Sequence, residues 1–463
     1  MSKKESSTGK KALFYSFGQI SDITAYQSFI LLIFTFYFAV VGIDTWLITL
    51  GFILWSIWNA FNDPLMGYLS DRTHTKLGRR IPYVIGAFVP LAIIMLFLYT
   101  PPIAFGINDQ IANFTYFLII IVIFELVYTI FSLNLTSLFP EIFITEKDRT
   151  QANNIRQVFT IIGLIFAFIL PGLIISSYTD PNSLPQFQMF GIIAGIIVVI
   201  CSLIFIIFGP KERTEFKEDY KNAFGLFKTI KYCFKSKSFR WYIIAETCVW
   251  FVYGMLPTIV PLYAQNVLNM ETGILTSVLL ATTFLSATLF MTFLWKPLVR
   301  KIGNRKAWII SFIIWILSLS GTLFIWEFIG GLIVFFLIGI GLSGSFFIID
   351  LVVADIVDED EIATGMRREA GYYGVNAFVL RFSNVLVILA IGIVFSGTEW
   401  GGGYVPNPGI DVIIGLKILM FALPAIALVI AALAIYKYPL HGEKLLKVKE
   451  ESQKIHDQKK SRI

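Results

Sequence analysis

Apolar residues run along this chain in stretches of about twenty, separated by short polar breaks, from near residue 12 to near residue 436. A stretch of that length crosses the hydrocarbon core of a bilayer. Without water to pair its backbone, a spanning segment has to be a helix. The breaks define twelve expected spans, near 12–41, 46–70, 81–100, 111–139, 152–177, 187–208, 241–266, 273–295, 307–326, 331–355, 370–397 and 412–436. The longest internal break, 209–240, holds nine basic residues and leaves six spans on either side. The expectation is an all-α membrane protein of two six-helix halves, 1–208 and 241–438, joined by a cytoplasmic linker at 209–240. A tail at 439–463 is polar and reads as a short, frayed helix.

The halves carry a weak internal repeat. The second-to-third connection holds Gly67, Asp71 and Arg72, then Gly78, Arg79 and Arg80. The matching connection of the other half holds Lys296, Arg300 and Lys301, then Gly303, Arg305 and Lys306. Repeated halves are typical of secondary transporters, whose binding sites lie at the interface of the repeats near the middle of the membrane.

Composition changes the picture by exclusion. Of the 463 residues, 56% are hydrophobic and 15% charged, against about 45–50% and about 25% in soluble domains. This excludes a soluble enzyme and a nucleic-acid binder. Cys201, Cys233 and Cys248 match no disulfide framework or metal spacing, and His74, His441 and His456 are scattered in polar segments. No cofactor is expected. The first apolar stretch is too long for the apolar region of a signal peptide and reads as an uncleaved span.

Charge then sets orientation. With the N-terminus in the cytoplasm, the outward loops contain Asp44, Asp109, Asp180, Glu271, Glu327, Glu399 and Asp411 and no Lys or Arg. All of the 37 basic residues except Arg156, Arg381 and Lys417, which fall inside spans, lie in inward segments. A Lys/Arg excess marks the cytoplasmic side. Both termini are therefore expected there, and the formal net charge of +6 is a matter of topology.

A charged group inside a span costs about 2.5–3.5 kcal/mol on insertion scales and is a functional candidate by default. The chain has Asp22, Asp63, Glu125, Arg156, Glu246, Asp350, Asp355, Arg381 and Lys417. Asp355 and Arg156 lie near cytoplasmic ends, where capping or snorkelling would also account for them, and Lys417 reads as an interfacial anchor. In the second span Asn59, Asn62 and Asp63 fall at i, i+3 and i+4 and share one face. Pro64 follows and leaves the Ala60 carbonyl without its usual intrahelical donor. Such a set of hard oxygens suits Na⁺, with Asp63 as the metal ligand, or H⁺ on the carboxylate alone; polar helix packing is the plainer alternative.

In the fourth span Glu125, Thr129, Ser132 and Thr136 form a stripe, although hydroxyls at this spacing also glue helices together. Arg156 is a candidate partner for Glu125. Asp22 has Tyr15, Tyr26 and Phe29 around it at helical spacing, an arrangement that suits a polyol. Arg381 is the expected counter-ion of a carboxylate across the pore, with Asp350 of the tenth span as its suspect.

These residues resemble a known family. Asn62, Asp63, Pro64 and Gly67, then Ser70, Asp71 and Arg72, then Leu77, Gly78, Arg79, Arg80 and Pro82 are similar to the second-span signature of the glycoside–pentoside–hexuronide:cation symporters. These form the melibiose-permease branch of the major facilitator superfamily. A second block resembles their tenth-to-eleventh connection: Ala354, Asp355, Asp358, Asp360 and Glu361, then Thr364, Gly365, Arg367, Arg368 and Glu369, then Tyr372, Tyr373 and Gly374. Shorter matches, Gly18 to Asp22 and Ser137 to Glu141, fall in the first half.

The resemblance implies the major facilitator fold in a plasma membrane, and uptake of a sugar or glycoside coupled to Na⁺, Li⁺ or H⁺. By position Asp22 matches the family's sugar-binding aspartate, Arg156 an arginine at the sugar site, and Arg381 the basic residue of the eleventh span. Asp63, Asn62 and Thr129 match cation-site positions. Three positions depart: Asn59 replaces a second cation-site aspartate, Ser132 a sugar-binding aspartate, and Thr136 a tryptophan. Glu125 or Asp350 would have to compensate.

Closure of the cytoplasmic side is expected to involve Asp71, Arg72, Arg79 and Arg80 with Asp355, Asp358, Arg367 and Arg368. Some relatives move lysophospholipids, so a cation-dependent lysophospholipid transporter on the same fold is the alternative. A membrane receptor or enzyme is a remote one. A monomer is the default for this architecture.

Overall fold

The computed structural model describes residues 3–73, 75–143, 146–211, 231–270, 273–364 and 369–460. Every expected span lies in helix. We label α1 (Lys3–Thr35, continued by a π-turn at Phe36–Val40), α2 (Thr45–Arg72), α3 (Ile81–Phe97), α4 (Gln110–Ile142), α5 (Glu146–Phe168, continued by Leu170–Ile174) and α6 (Leu184–Phe208). There follow α7 (Lys237–Asn266), α8 (Gly273–Phe290, continued through Met291–Trp295 to Lys296–Ile302), α9 (Asn304–Ser320), α10 (Phe328–Thr364) and α11 (Glu369–Ser396). Last come α12 (Ile410–Lys417, through Ile418–Ala422 to Leu423–Tyr436) and α13 (Gly442–Lys460).

Among the described residues, 10 helices are long and apolar enough to cross a membrane. The two expected spans outside that set are α2 and α3. The first is long but diluted by its tryptophans and by Asn59, Asn62 and Asp63; the second is apolar but has only 17 residues.

Helices α1–α6 pack on one another, with α1 against α5 and α6, α3 against α4 and α6, and α2 against α4. Helices α7–α12 do the same, with α8 and α9 against α10, and α7 against α11 and α12. The two groups meet where α2 faces α11, α1 faces α7, and the end of α5 faces α8.

The acidic residues of the loops have a local role as well. Asp44, Asp109 and Asp180 accept from the backbone N–H of Trp46, Ala112 and Asn182, at 2.7, 2.8 and 2.9 Å. Each thus satisfies a donor that a helix start leaves open. At the opposite end the repeated glycine turns are real. Gly78 has φ +105° and Gly303 has φ +80°, a region that a side chain enters only with strain. Replacing Gly303 with alanine is expected to destabilise the fold by about 1–3 kcal/mol, read as a lower melting temperature of the purified protein.

The tail differs from its expectation. Residues 442–460 form a helix that docks on α10 rather than fraying. Leu445, Val448 and Ser452 turn inward, while Lys444 binds Glu359 at 2.6 Å and Lys449 binds Asp355 at 3.2 Å. Arg305 ties the connection before it, donating to the carbonyls of Ile435 and Tyr436 and meeting His441 Nε2 at 3.0 Å. Partial burial, then Arg305 and Lys306, push the His441 pKa down, so the ring stays a neutral acceptor.

Candidate functional site

The first polar cluster lies between α2, α4 and α11. Asp63 forms an ion pair and hydrogen bond with Arg381 and accepts from the Thr129 hydroxyl at 3.1 Å. Glu125 is wholly buried, with Oε1 3.6 Å from Arg381 Nη1. Asn62 donates to the Glu125 backbone carbonyl at 3.1 Å, which joins α2 to α4 at this level. Asn62 and Asp63 thus both reach α4 from α2, and Asn59, one turn earlier, is buried.

With both carboxylates ionised, two acids and one guanidinium leave the cluster one negative charge in excess. Around it four buried oxygens have no hydrogen-bond donor: Asn59 Oδ1, Asn62 Oδ1 and both oxygens of Glu125. Buried polar atoms are rarely left in this state. A set of hard oxygens with a net charge of −1 fits a monovalent cation. Among the described residues no group of three or more His, Cys, Asp or Glu could hold a metal, so a site of the transition-metal kind is not built here.

The second cluster joins α1, α4, α5 and α10. Asp22 is buried and accepts at Oδ2 from Gln19 at 3.1 Å, while its Oδ1 has no partner. Tyr128 and Ser132 lie beside it, with Arg156 in electrostatic reach. The Tyr26 and Tyr128 rings stack at 4.8 Å, and the Arg156 guanidinium lies 4.5 Å over the Phe139 ring. Asp350 is exposed on α10 and faces Arg156 from the other group of helices.

Two pairings differ from those expected. Arg381 is the partner of Asp63 and Glu125, not of Asp350, and Arg156 lies in electrostatic reach of Asp22 and Asp350 rather than pairing with Glu125. The cause is packing: α11 lies against α2 and brings Arg381 to Asp63, whereas Arg156 is carried by α5, which lies against α1. The cytoplasmic residues divide similarly. Asp355 accepts from Asn304 at 2.8 Å and binds Lys449 of the tail. Arg72, Arg79, Arg80 and Asp358 lie within the described residues. The Asp71 side chain, Arg367 and Arg368 fall outside them. Lys417 donates to the Leu323 carbonyl at 2.8 Å and sits on the Trp326 ring.

Sequence reasoning assigns no role to Gln19 and Gln27. Gln19 bonds Asp22, and Gln27 accepts from Tyr253 of α7 at 3.4 Å, across the two groups of helices. A glutamine in a membrane helix is the signal that could have found them. About one to two helical turns from Arg381, an apolar slot opens between α1, α2, α7 and α11. It is lined by Ile30, Phe34, Phe52, Trp55 and Val387 and edged by Thr258 and Asn384.

At its opposite margin the interface is sealed. Trp400, fully buried, packs on Phe38, Phe395 and Tyr404, and its carbonyl accepts from the Thr45 hydroxyl at 2.6 Å. Tyr178 and Ser277 join at 2.9 Å nearby.

The comparisons agree with this architecture. The nucleoside transporter NupG superposes with a TM-score of 0.64 at 14% identity, covering 92% of this chain and 99% of that one. A bacterial homologue of the human lysosomal transporter Spinster, inward-facing and unoccupied, gives 0.57 at 14% identity, over 95% and 98% of the two chains. By sequence, an isoprimeverose transporter of Lactiplantibacillus pentosus is 25% identical over 386 residues, 80% of this chain and 76% of the relative. A sodium-dependent lysophosphatidylcholine symporter 1-B of Danio rerio is 23% identical over 430 residues, 84% and 78%. The profile of one family, described as MFS/sugar transport protein, matches residues 14–442. The buried charges on facing helices, the fold and this match have one reading: the chain is a multi-pass membrane transporter, not an enzyme, and belongs to the MFS/sugar transport protein family.

Proposed function

We propose that the protein is a secondary active symporter that takes up a sugar or glycoside with Na⁺ or H⁺ by alternating access. Twelve spans in two halves, 1–208 and 241–438, would rock about the central clusters in a plasma membrane, with both termini and the 209–240 linker in the cytoplasm and the protein acting as a monomer. The observation that carries this reading is the charge of the α2–α4–α11 cluster. With both acids ionised it holds one negative charge in excess, and the guanidinium that pairs with them, Arg381, comes from the other half.

A cation bound by Asp63, Glu125, Asn59 and Asn62, with Thr129 beside them, competes with Arg381 for Asp63. That competition loosens α11 from α2 and ties the ion to motion of the halves. Asp22, Gln19, Ser132, Arg156 and Asp350, bordered by Tyr26, offer acceptors, donors and a ring face to a polyol. One charge moving down 100 mV supplies about 2.3 kcal/mol, which sustains about a fifty-fold substrate gradient.

A second reading, a cation-dependent lysophospholipid transporter, is favoured by the apolar slot beside Arg381, which has the lining of an acyl-chain site. The relative in Danio rerio carries that substrate in its name.

Thermal-shift binding on the purified protein separates the two. A set of sugars including lactose, and lysophosphatidylcholine, are each added with and without Na⁺ and at two pH values. The proposal expects stabilisation by a sugar, enhanced by the cation and lost in Asp22→Asn. Stabilisation by the lysolipid alone would replace it with the second reading.

A further inference from the structure

Among the described residues three buried acids lie outside both clusters, Glu246, Asp355 and Glu361, and Asp355 is paired with Lys449. Glu246 sits in the half of α7 nearest the 209–240 linker and is 2% exposed. Its Oε1 accepts from Asn376 Nδ2 of α11 at 3.0 Å and from Trp250 Nε1 at 3.3 Å. Its Oε2 has no partner, and neither does Asn376 Oδ1. Tyr242 on the same helix borders the group, and the charged residue in electrostatic reach is another acid, Asp350 of α10. Among the described residues no Lys, Arg or His is paired with it.

Ionised, this carboxylate would stand in a dry helix interface with an acid for its nearest charge, at a cost of many kcal/mol; such a group neutralises instead. Two neutral N–H donors on one oxygen and an unpartnered second oxygen describe a carboxylic acid whose O–H is on Oε2. Among the described residues Oε2 and Asn376 Oδ1 are open and the Tyr242 hydroxyl borders them, fewer oxygens than a Na⁺ shell needs. Asp350 has the complementary setting: it is exposed, and Arg156 of the other half faces it.

We propose that Glu246, held by Asn376 and Trp250, is a second cation site that takes H⁺ alone and is independent of the Asp63 cluster. Loading transfers a proton from water to Glu246 Oε2, and release returns it to water. Ionised, Glu246 repels the Asp350 carboxylate, which Arg156 of the other half attracts, so the proton on Glu246 biases the approach of the two halves. The site's part in coupling rests on the symporter reading; its existence does not.

The test is infrared difference spectroscopy of the full chain in lipid. Wild type is expected to show, at neutral pH, a carboxylic-acid C=O band that disappears in Glu246→Gln and persists in Glu125→Gln. Glu246→Gln keeps an acceptor oxygen for Asn376 and Trp250 and should fold. In Asn376→Leu the band should move to higher frequency, since one hydrogen bond to the acid is gone. Absence of a Glu246-dependent band, or its loss when Na⁺ replaces K⁺ at fixed pH, overturns the proposal. In proteoliposomes with lactose as probe, Glu246→Gln should keep counterflow within about two-fold and lose accumulation driven by a pH gradient. If wild type moves neither lactose nor any other sugar of the thermal-shift set, the sugar-symport reading fails while the band still decides the proton site.

Discussion

Asp63→Asn is expected to abolish cation-driven accumulation and to lower the stability of the protein in the same stroke. The substitution leaves Arg381 facing a neutral amide, with Glu125 at 3.6 Å its remaining counter-charge. Removing one partner of a buried pair costs about 3–5 kcal/mol. The side chains of Arg381 and Asp63 are 24% and 25% exposed, which places the loss near the lower end, about 3 kcal/mol.

The double variant Asp63→Asn/Arg381→Gln removes both charges. It should recover most of the stability, because the two sites are in direct contact and their effects are not additive. It should recover none of the coupling, because the cation has lost its main ligand. Melting temperature and Na⁺- or H⁺-driven uptake measured on the three variants make the cycle complete. Uptake that survives in Asp63→Asn with its cation dependence intact would remove the α2–α4–α11 cluster from the mechanism.

The second large effect is steric. A Cβ at Gly172, on the Leu170–Ile174 continuation of α5, would lie 2.4 Å from Ser277 Oγ and 2.7 Å from the Gly273 carbonyl of α8. A Cβ at Gly392 of α11 would lie 2.5 Å from Thr49 Oγ1 of α2. Both glycines sit in the sealed margin of the interface, near Tyr178 and Trp400 respectively. Gly172→Val and Gly392→Val should therefore act as wedges that hold this margin open. Transport is expected to fall at least tenfold, the effect of about 1.4 kcal/mol against the sealed state, while the protein still folds. A cysteine placed at Thr45 should become reactive to a membrane-impermeant reagent in the wedged variants and stay protected in their parent. Unchanged transport in both variants would mean that this seal does not form in the working cycle.

How much of this can be read from the chain depends on the distance over which each contact acts. The Asn59–Asn62–Asp63 face and the Thr129 stripe are legible, because spacings of three and four residues on one helix settle which side chains are neighbours. The turns at Gly78 and Gly303 are legible for the same local reason. Arg381 stands out as functional from its depth, but its partner does not. Two carboxylates on different helices, Asp63 and Asp350, are equally plausible until the register of α11 against α2 is known. Arg156 shows the same gap. The acids of the loops read as topology alone, and their caps at Asp44, Asp109 and Asp180 emerge only with the helix starts in place. The tail reads as frayed because its composition is polar; the stripe of Leu445, Val448 and Ser452 finds a surface on α10 that no local pattern reveals.

Apolar runs of about twenty residues are enough to make the chain helical and suited to a bilayer, since they admit no other backbone in hydrocarbon. They also single out the few charges inside spans as candidates for chemistry, since burying them without purpose is costly. It takes the packing of the helices to bring Arg381 onto Asp63 and Glu125, to set Arg156 within electrostatic reach of Asp22 and Asp350, and to leave Glu246 with two neutral N–H donors and, among the described residues, no paired Lys, Arg or His. Those outcomes rest on ångström-scale register between helices far apart in sequence. Hydrophobic length and periodicity are blind to that register, because sliding or turning a helix within the bundle leaves both unchanged.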